Sequence, residues 1–214
     1  MDDYLLPSPH SIGISLPNVS VPCTEQEEVR LVTASRAGDQ DAFAQLVHLH
    51  QRRVFNLVYR MLQNYEETNE VTQDTFLAAW QGLPTFRGDA RFSTWVYRIA
   101  YNCCLKQLEQ RKREKALQMA MQEEQILLHE NSDTKVSSEI DAHESRDLIR
   151  EFLAQLPAKY RIVLVLRHLH DMTYEEMAEI LTVPIGTIKT HLFRARNLLK
   201  ERLEAFEREW KARG

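Results

Sequence analysis

An all-α chain of two small helical domains joined by a flexible acidic linker, the second domain a helix-turn-helix, is what three observations in the sequence predict. Apolar residues recur at helical spacing from Asp41 onward, with no period-two strand pattern in the first domain. That periodicity lapses over residues 116–145 and then resumes. Beyond the gap, TYEEMAEILTVPIGTIKTHLFRARNLL carries the signals of a short helix, a tight turn and a second helix.

The elements follow in order. Residues 1–26 open with two aspartates and lack both a basic start and an unbroken apolar stretch, so they are read as a flexible tail rather than a secretion signal. From Asp41 to Asn64, residues such as Leu46, Val54, Leu57 and Met61 keep helical spacing, which predicts one long amphipathic helix. A second helix is expected from about Glu66 to Gly82, with Val71, Phe76, Leu77 and Trp80 inward and Gly82 plus Pro84 ending it. A third starts near Ser93 or Thr94, either of which can cap it, and runs through Trp95, Ile99 and Leu105 into the basic QRKREK. These helices make a domain over residues 27–115. The segment 116–145 is polar, acidic and Ser-rich, too poor in apolar residues to order itself alone, and is expected to be a linker. Leu148, Ile149, Phe152, Leu153 and Leu156 then resume the period, and Pro157 suits the first turn of the next helix, within a domain over 146–210.

In that second domain Thr173 and Glu176 form a capping-box pattern that starts a helix through Met177 and Leu181. Thr182 and Val183 leave it, and Pro184 fits the first position of a new helix. The new helix buries Ile188, Leu192, Ala195 and Leu199, and leaves Thr187, Lys189, Thr190, His191 and Arg194 on other faces. A helix, a short turn and a helix with hydroxyl and basic groups in its N-terminal half is the arrangement whose second helix enters the DNA major groove. Lys189 and Arg194 suit guanine edges or phosphates, and Thr187 suits phosphate at the helix start.

The net charge of −4 does not oppose a nucleic-acid partner, because it is unevenly spread. Arg87–Lys115 holds eight basic and three acidic residues, and Gly186–Gly214 eight and four, whereas Ala116–Asp147 holds two basic and eight acidic. Two anion-binding surfaces on one chain follow from this pattern. The first contains FRGDARFSTWVYRIAYN, where five aromatics share seventeen positions with three arginines. Unstacked bases need π faces or tight pockets, arginines hold a backbone, and Asn or Ser groups bond a flipped base's edge, so the stretch suits single-stranded nucleic acid. Within it Trp95, Ile99 and Tyr97 are assigned to the core.

Other classes find no support. There is no Gly-rich phosphate loop, nucleophile elbow or zinc motif, so the chain is not expected to be an enzyme or to need a cofactor or metal, and no catalytic residue is assigned. The pairs His48/His50 and His168/His170 stand two apart and point to opposite sides of a helix, which suits no metal. Cys23, Cys103 and Cys104 cannot all pair with one another, and with no apolar run near the roughly 18 residues of a membrane span, the chain reads as cytoplasmic.

The quoted helix-turn-helix stretch resembles the promoter-binding region 4 of bacterial sigma factors of the extracytoplasmic-function type, in the sigma-70 family. DAFAQLVHLHQRRVFNLVYRML, NEVTQDTFLAAW and FRGDARFSTWVYRIAYN resemble, in order, the pieces of that group's region 2. The resemblance covers about Glu27 to Leu203, apart from the linker. It implies a dissociable subunit that binds core RNA polymerase, directs it to promoters, helps open the minus 10 region, and is commonly held by an anti-sigma factor. It further implies that Thr187, Lys189, Thr190, His191, Phe193 and Arg194 read the minus 35 duplex. Thr85, Phe86, Arg87, Arg91, Ser93, Thr94, Arg98 and Asn102 would meet the minus 10 single strand, and Glu70, Gln73, Asp74 and Phe76 the polymerase. Asn69 stands where the family usually has the first of two acidic residues. The competing class is an autonomous helix-turn-helix regulator, which should carry a ligand pocket, a receiver domain or a dimer helix.

Overall fold

The computed structural model describes residues 24–126 and 151–213, and the elements among them are helical. The first, α1 (Glu25–Arg36), falls inside what the sequence left without a helix. Thr24 caps it by accepting from the Glu27 amide at 3.3 Å, and three glutamates occupy its first turn, where they suit the positive helix end. Its apolar stripe is only Val29, Leu31 and Val32, too short for periodicity to reveal. It forms because α2 offers a surface to pack on.

Helix α2 (Gln40–Leu62) buries Leu46, Val54, Leu57, Val58, Met61 and Leu62 along one face. Asp39 caps it, accepting from the Asp41 and Ala42 amides at 2.9 and 3.0 Å. It ends two residues before the expected Asn64, because Gln63 turns left-handed (φ 57°) and Asn64 instead caps α3, accepting from the Glu67 amide at 3.0 Å. Helix α3 (Tyr65–Gly82) runs into a 3-10 turn at Leu83–Thr85, with Pro84 inside it. Thr68 and Thr75 sit buried on α3 because each hydroxyl donates to the carbonyl four residues back.

Helix α4 (Phe92–Ile126) begins one residue earlier than expected, so Ser93 and Thr94 lie inside it. It also continues past Lys115. Residues 116–126, assigned to the linker from composition, are helical, while the rest of that linker lies outside the described residues. Residues 116–120 are all solvent-exposed, so packing does not hold this part; Ala, Leu, Gln and Met there are strong helix formers. The first tail residues likewise lie outside the described part.

After a helical stretch at 151–155 come α5 (Ala158–Leu169), α6 (Tyr174–Leu181) and α7 (Ile185–Arg213). Pro157 and Pro184 each stand one position before a helix rather than in its first turn, and their carbonyls accept the first helical amides. The capping box is formed in both directions: the Thr173 hydroxyl accepts from Glu176 N–H at 3.2 Å, and Glu176 accepts from Thr173 N–H at 2.8 Å. Thr182 then takes the left-handed conformation (φ 56°) that turns α6 into α7. Ile188, Leu192 and Ala195 of α7 are buried with Met177 and Ile180 of α6 and five consecutive apolar residues of α5, Ile162 to Leu166. Thr173→Ala is expected to lower stability of this unit by about 1 kcal/mol, read as a shift in urea midpoint with unchanged slope.

The two units touch. Helix α2 meets α5, and α4 meets α6.

Candidate nucleic-acid interface

The loop Phe86–Arg91 joins the 3-10 turn to α4, and Gly88 lies in the left-handed region (φ 82°) that its turn requires. Phe86 and Phe92 meet edge to face at 6.2 Å, and each packs on Trp95, at 4.8 and 5.7 Å between ring centroids. Trp95 in turn fits against Gly82, where an added Cβ would stand 3.3 Å from the indole. The loop is therefore stapled at both ends by rings. Trp95 and Ile99 are partly buried and Tyr97 is almost wholly so, which agrees with their assignment to the core.

Beside this staple lies a cavity of about 690 Å³, walled by α1, by His50 and Arg53 of α2, and by the loop through Ser93. Four arginines (Arg36, Arg53, Arg87, Arg91) and three carboxylates (Glu25, Glu28, Asp89) line it. So near a balance of charge suits a polar, uncharged ring system better than a phosphate. His50 is fixed there by Glu28, with 3.1 Å between Nε2 and Oε1, and by the Phe92 ring at 5.3 Å. The contributions of Glu28, Arg36, His50 and Arg53 were not read from the sequence; the cavity wall needs α1, and α1 left no strong periodic signal.

The residues predicted for the minus 10 strand divide in two. Arg87, Arg91, Arg98 and Asn102 are exposed, and Ser93 is half-exposed at the cavity rim. Arg98 and Asn102 stand four residues apart, on one face of α4, and Arg91 is the last loop residue before that helix. Phe86, at 7% exposure, and Thr94, at 3%, are buried and are corrected to supporting roles: Phe86 is held in the ring staple and Thr94 faces inward one turn into the helix. Thr85 is exposed, but its hydroxyl donates to the Gly82 carbonyl at 2.7 Å and so closes the 3-10 turn.

On α7, Lys189, Thr190, Phe193 and Arg194 are exposed, Phe193 by 66%, and Thr187 and His191 are half-buried. Thr190 donates to the Gly186 carbonyl at 2.9 Å, leaving its oxygen as an acceptor. His191 rests edge-on against Tyr160 of α5 at 5.4 Å, and burial, then the Lys159 and Arg194 cations, push its pKa down, so a neutral imidazole faces outward at pH 7. Tyr160 also lies within 3.5 Å of Arg194 Nη1 and 5.1 Å of the Lys159 ammonium, which makes it a shared support for this face.

On α3, Glu70, Gln73 and Asp74 are exposed on one face, at spacings of three and four. Phe76 and Leu77 are both expected inward, and Phe76 also at the polymerase. Phe76 is 7% exposed and belongs to the core, while Leu77, expected inward, is 56% exposed. Val71, Thr75 and Ala79 define the inward row, and Leu77 lies off it, one turn beyond Gln73. With Gln40, Phe43, Phe76 and Trp80 it borders a shallow hollow of about 370 Å³, in which the Phe43 and Trp80 rings lie 4.9 Å apart. Burial pushes the Cys104 thiol up to about 12 and raises that of Cys103, which disfavours thiolate at either.

Comparison with known proteins gives three kinds of match. The family models Sigma-70 region 2 and Sigma-70, region 4 match residues 46–114 and 146–199. The ECF RNA polymerase sigma factor SigW of Bacillus subtilis is 35% identical over 78% of this chain and 92% of its own. CnrH, solved in complex with the cytosolic domain of CnrY, superimposes with a TM-score of 0.61 at 25% identity, covering 83% of this chain and 97% of that one. The sigma factor RpoE of Bartonella quintana, solved with the anti-sigma factor NepR, gives 0.58 at 24% identity, over 76% and 96% of the two chains.

Proposed function

Because this chain belongs to the extracytoplasmic-function RNA polymerase sigma factors of the sigma-70 family, we propose a division of its labour between the two units. As a sigma factor it binds core RNA polymerase, directs it to promoters and helps open the minus 10 region. Residues 27–115 bind polymerase through Glu70, Gln73, Asp74 and the neighbouring Leu77, and capture the melted minus 10 strand. Its backbone is held by Arg87, Arg91 and Arg98; Ser93 bonds a base turned toward the cavity, and Asn102, further along α4, bonds another. Residues 146–210 read the minus 35 duplex through Thr187, Lys189, Thr190, His191, Phe193 and Arg194. Exposed Arg98 and Asn102 on α4, the helix that starts at the rim of a cavity of nearly balanced charge lined by Arg87 and Arg91, carry this reading.

The protein has no chemistry of its own in this scheme. It acts in the cytoplasm, and among the described residues no helix is long and apolar enough to cross a membrane. An anti-sigma factor is its expected inhibitor, as NepR accompanies the Bartonella quintana relative. The fitting test is run-off transcription on promoter libraries with core polymerase, with and without the chain. New, sequence-specific start sites are expected only when both are present. Identical starts in both arms, or tight promoter binding by the chain alone, would sink the proposal and favour an autonomous regulator.

A further inference from the structure

The second half of α2 carries a set of polar groups beyond the reading faces. Arg53, Asn56 and Arg60 stand three and four residues apart on its outer side, and with Leu169, His170 and Asp171 they line a cavity of about 390 Å³. Leu169 ends α5, and Asp171 turns the chain toward α6 in the left-handed region (φ 50°). This cavity shares only Arg53 with the one beside the ring staple.

Its cations are uncommitted. Neither Arg53 nor Arg60 pairs with a carboxylate among the described residues. The carbonyls at this helix end are served by other arginines: Arg161 donates to Met61, and Arg111 donates to Leu62 at 2.9 Å. His170 adds an orphan group, for its Nε2 is buried without a hydrogen-bond partner while its ring rests 5.1 Å from that of Tyr97. Burial, and then Arg53, push the His170 pKa down, so a neutral imidazole with one free nitrogen borders the cavity. Asp171 is the one acidic residue in the lining, against two guanidiniums.

We propose that this cavity binds a diphosphate group, free or as part of a nucleotide. Two arginines seven residues apart are set about 10 Å apart along a helix, and each presents a planar fork that takes a phosphoryl group through two hydrogen bonds. A diphosphate engages both forks, with the Asn56 amide between them as a further donor. The volume is that of a small-molecule pocket and exceeds what a diphosphate fills, which leaves room for a sugar against the exposed side chain of Leu169. Asn56 and Arg60 belong to neither reading face, so this site stands or falls apart from the promoter assignments.

Isothermal titration calorimetry of the full chain against inorganic pyrophosphate, ADP and GDP, with ionic strength held constant by sodium chloride, tests the proposal. One saturable site per chain is expected, and a melting midpoint that rises with pyrophosphate concentration, because the site exists only in the folded chain. Arg60→Ala should weaken binding about 10-fold or more, and Arg60→Lys should recover only part, since an ammonium lacks the fork. Arg52→Ala removes the same charge from an exposed position outside the cavity and should leave binding unchanged. If Arg60→Ala loses helical circular dichroism, Asn56→Ala takes its place, with a loss of about threefold expected. Tighter binding of a nucleotide than of pyrophosphate would assign the nucleotide as ligand, and equal binding the diphosphate alone; either supports the site. No saturable binding of any of the three, equal weakening by Arg52→Ala and Arg60→Ala, or an affinity unmoved by a folded cavity variant would overturn it.

Discussion

Asn102→Ala is expected to slow open-complex formation about 10- to 100-fold while leaving preference among minus 35 sequences unchanged, and Lys189→Ala to do the reverse. The magnitude is that of one side chain's discrimination between bases, roughly 1–3 kcal/mol. The separation follows from position: Asn102 is exposed on α4 one turn beyond Arg98, and Lys189 is exposed on α7 beside Thr190. Neither substitution opens a cavity, because neither side chain is buried, so unfolding is not expected to confuse the readout. Permanganate footprinting of the melted strand and selection from a library randomised at minus 35 would measure the two effects. If Asn102→Ala relaxes minus 35 preference, or Lys189→Ala impairs melting on a fixed promoter, the assignment of the two units fails.

Arg161→Ala is expected to destabilise the chain by about 3 kcal/mol, the largest loss for any single polar side chain described here. The substitution leaves the carbonyls of Met61, Ala154 and Leu156 without their shared donor in a buried setting, and adds a cavity. Arg161→Lys should recover only part of the loss, because one ammonium cannot reproduce a planar fork aimed at three oxygens. Urea unfolding of the full chain followed by circular dichroism would measure both. An Arg161→Ala loss under 1 kcal/mol, or full rescue by Lys, would show that the guanidinium is not the keystone its contacts describe.

The local grammar of this chain was legible and its long-range consequences were not. The capping box, the left-handed turn region at Thr182 and the buried Ile188, Leu192 and Ala195 were readable because each is set by residues within one or two turns. The three long helices of the first unit were readable for the same reason. Helix α1 was missed because its three apolar residues make too short a stripe, and the end of α4 because propensity, not periodicity, sustains it. In the candidate site, the arginines and Asn102 came from the family resemblance, and they are exposed. Leu77 was placed inward together with Phe76, since two large apolar neighbours at adjacent positions give periodicity no way to choose between them, and only Phe76 is buried. No local pattern relates Arg161 to Met61, one hundred positions earlier, so this contact between the two units was invisible.

Helix α4 is a rod about 53 Å long whose first half is embedded and whose exposed residues 116–120 touch solvent on all sides. Such a rod works as an indexing shaft. Each residue added to or removed from its outer part turns the point where the following chain departs by about 100° and shifts it 1.5 Å along the axis.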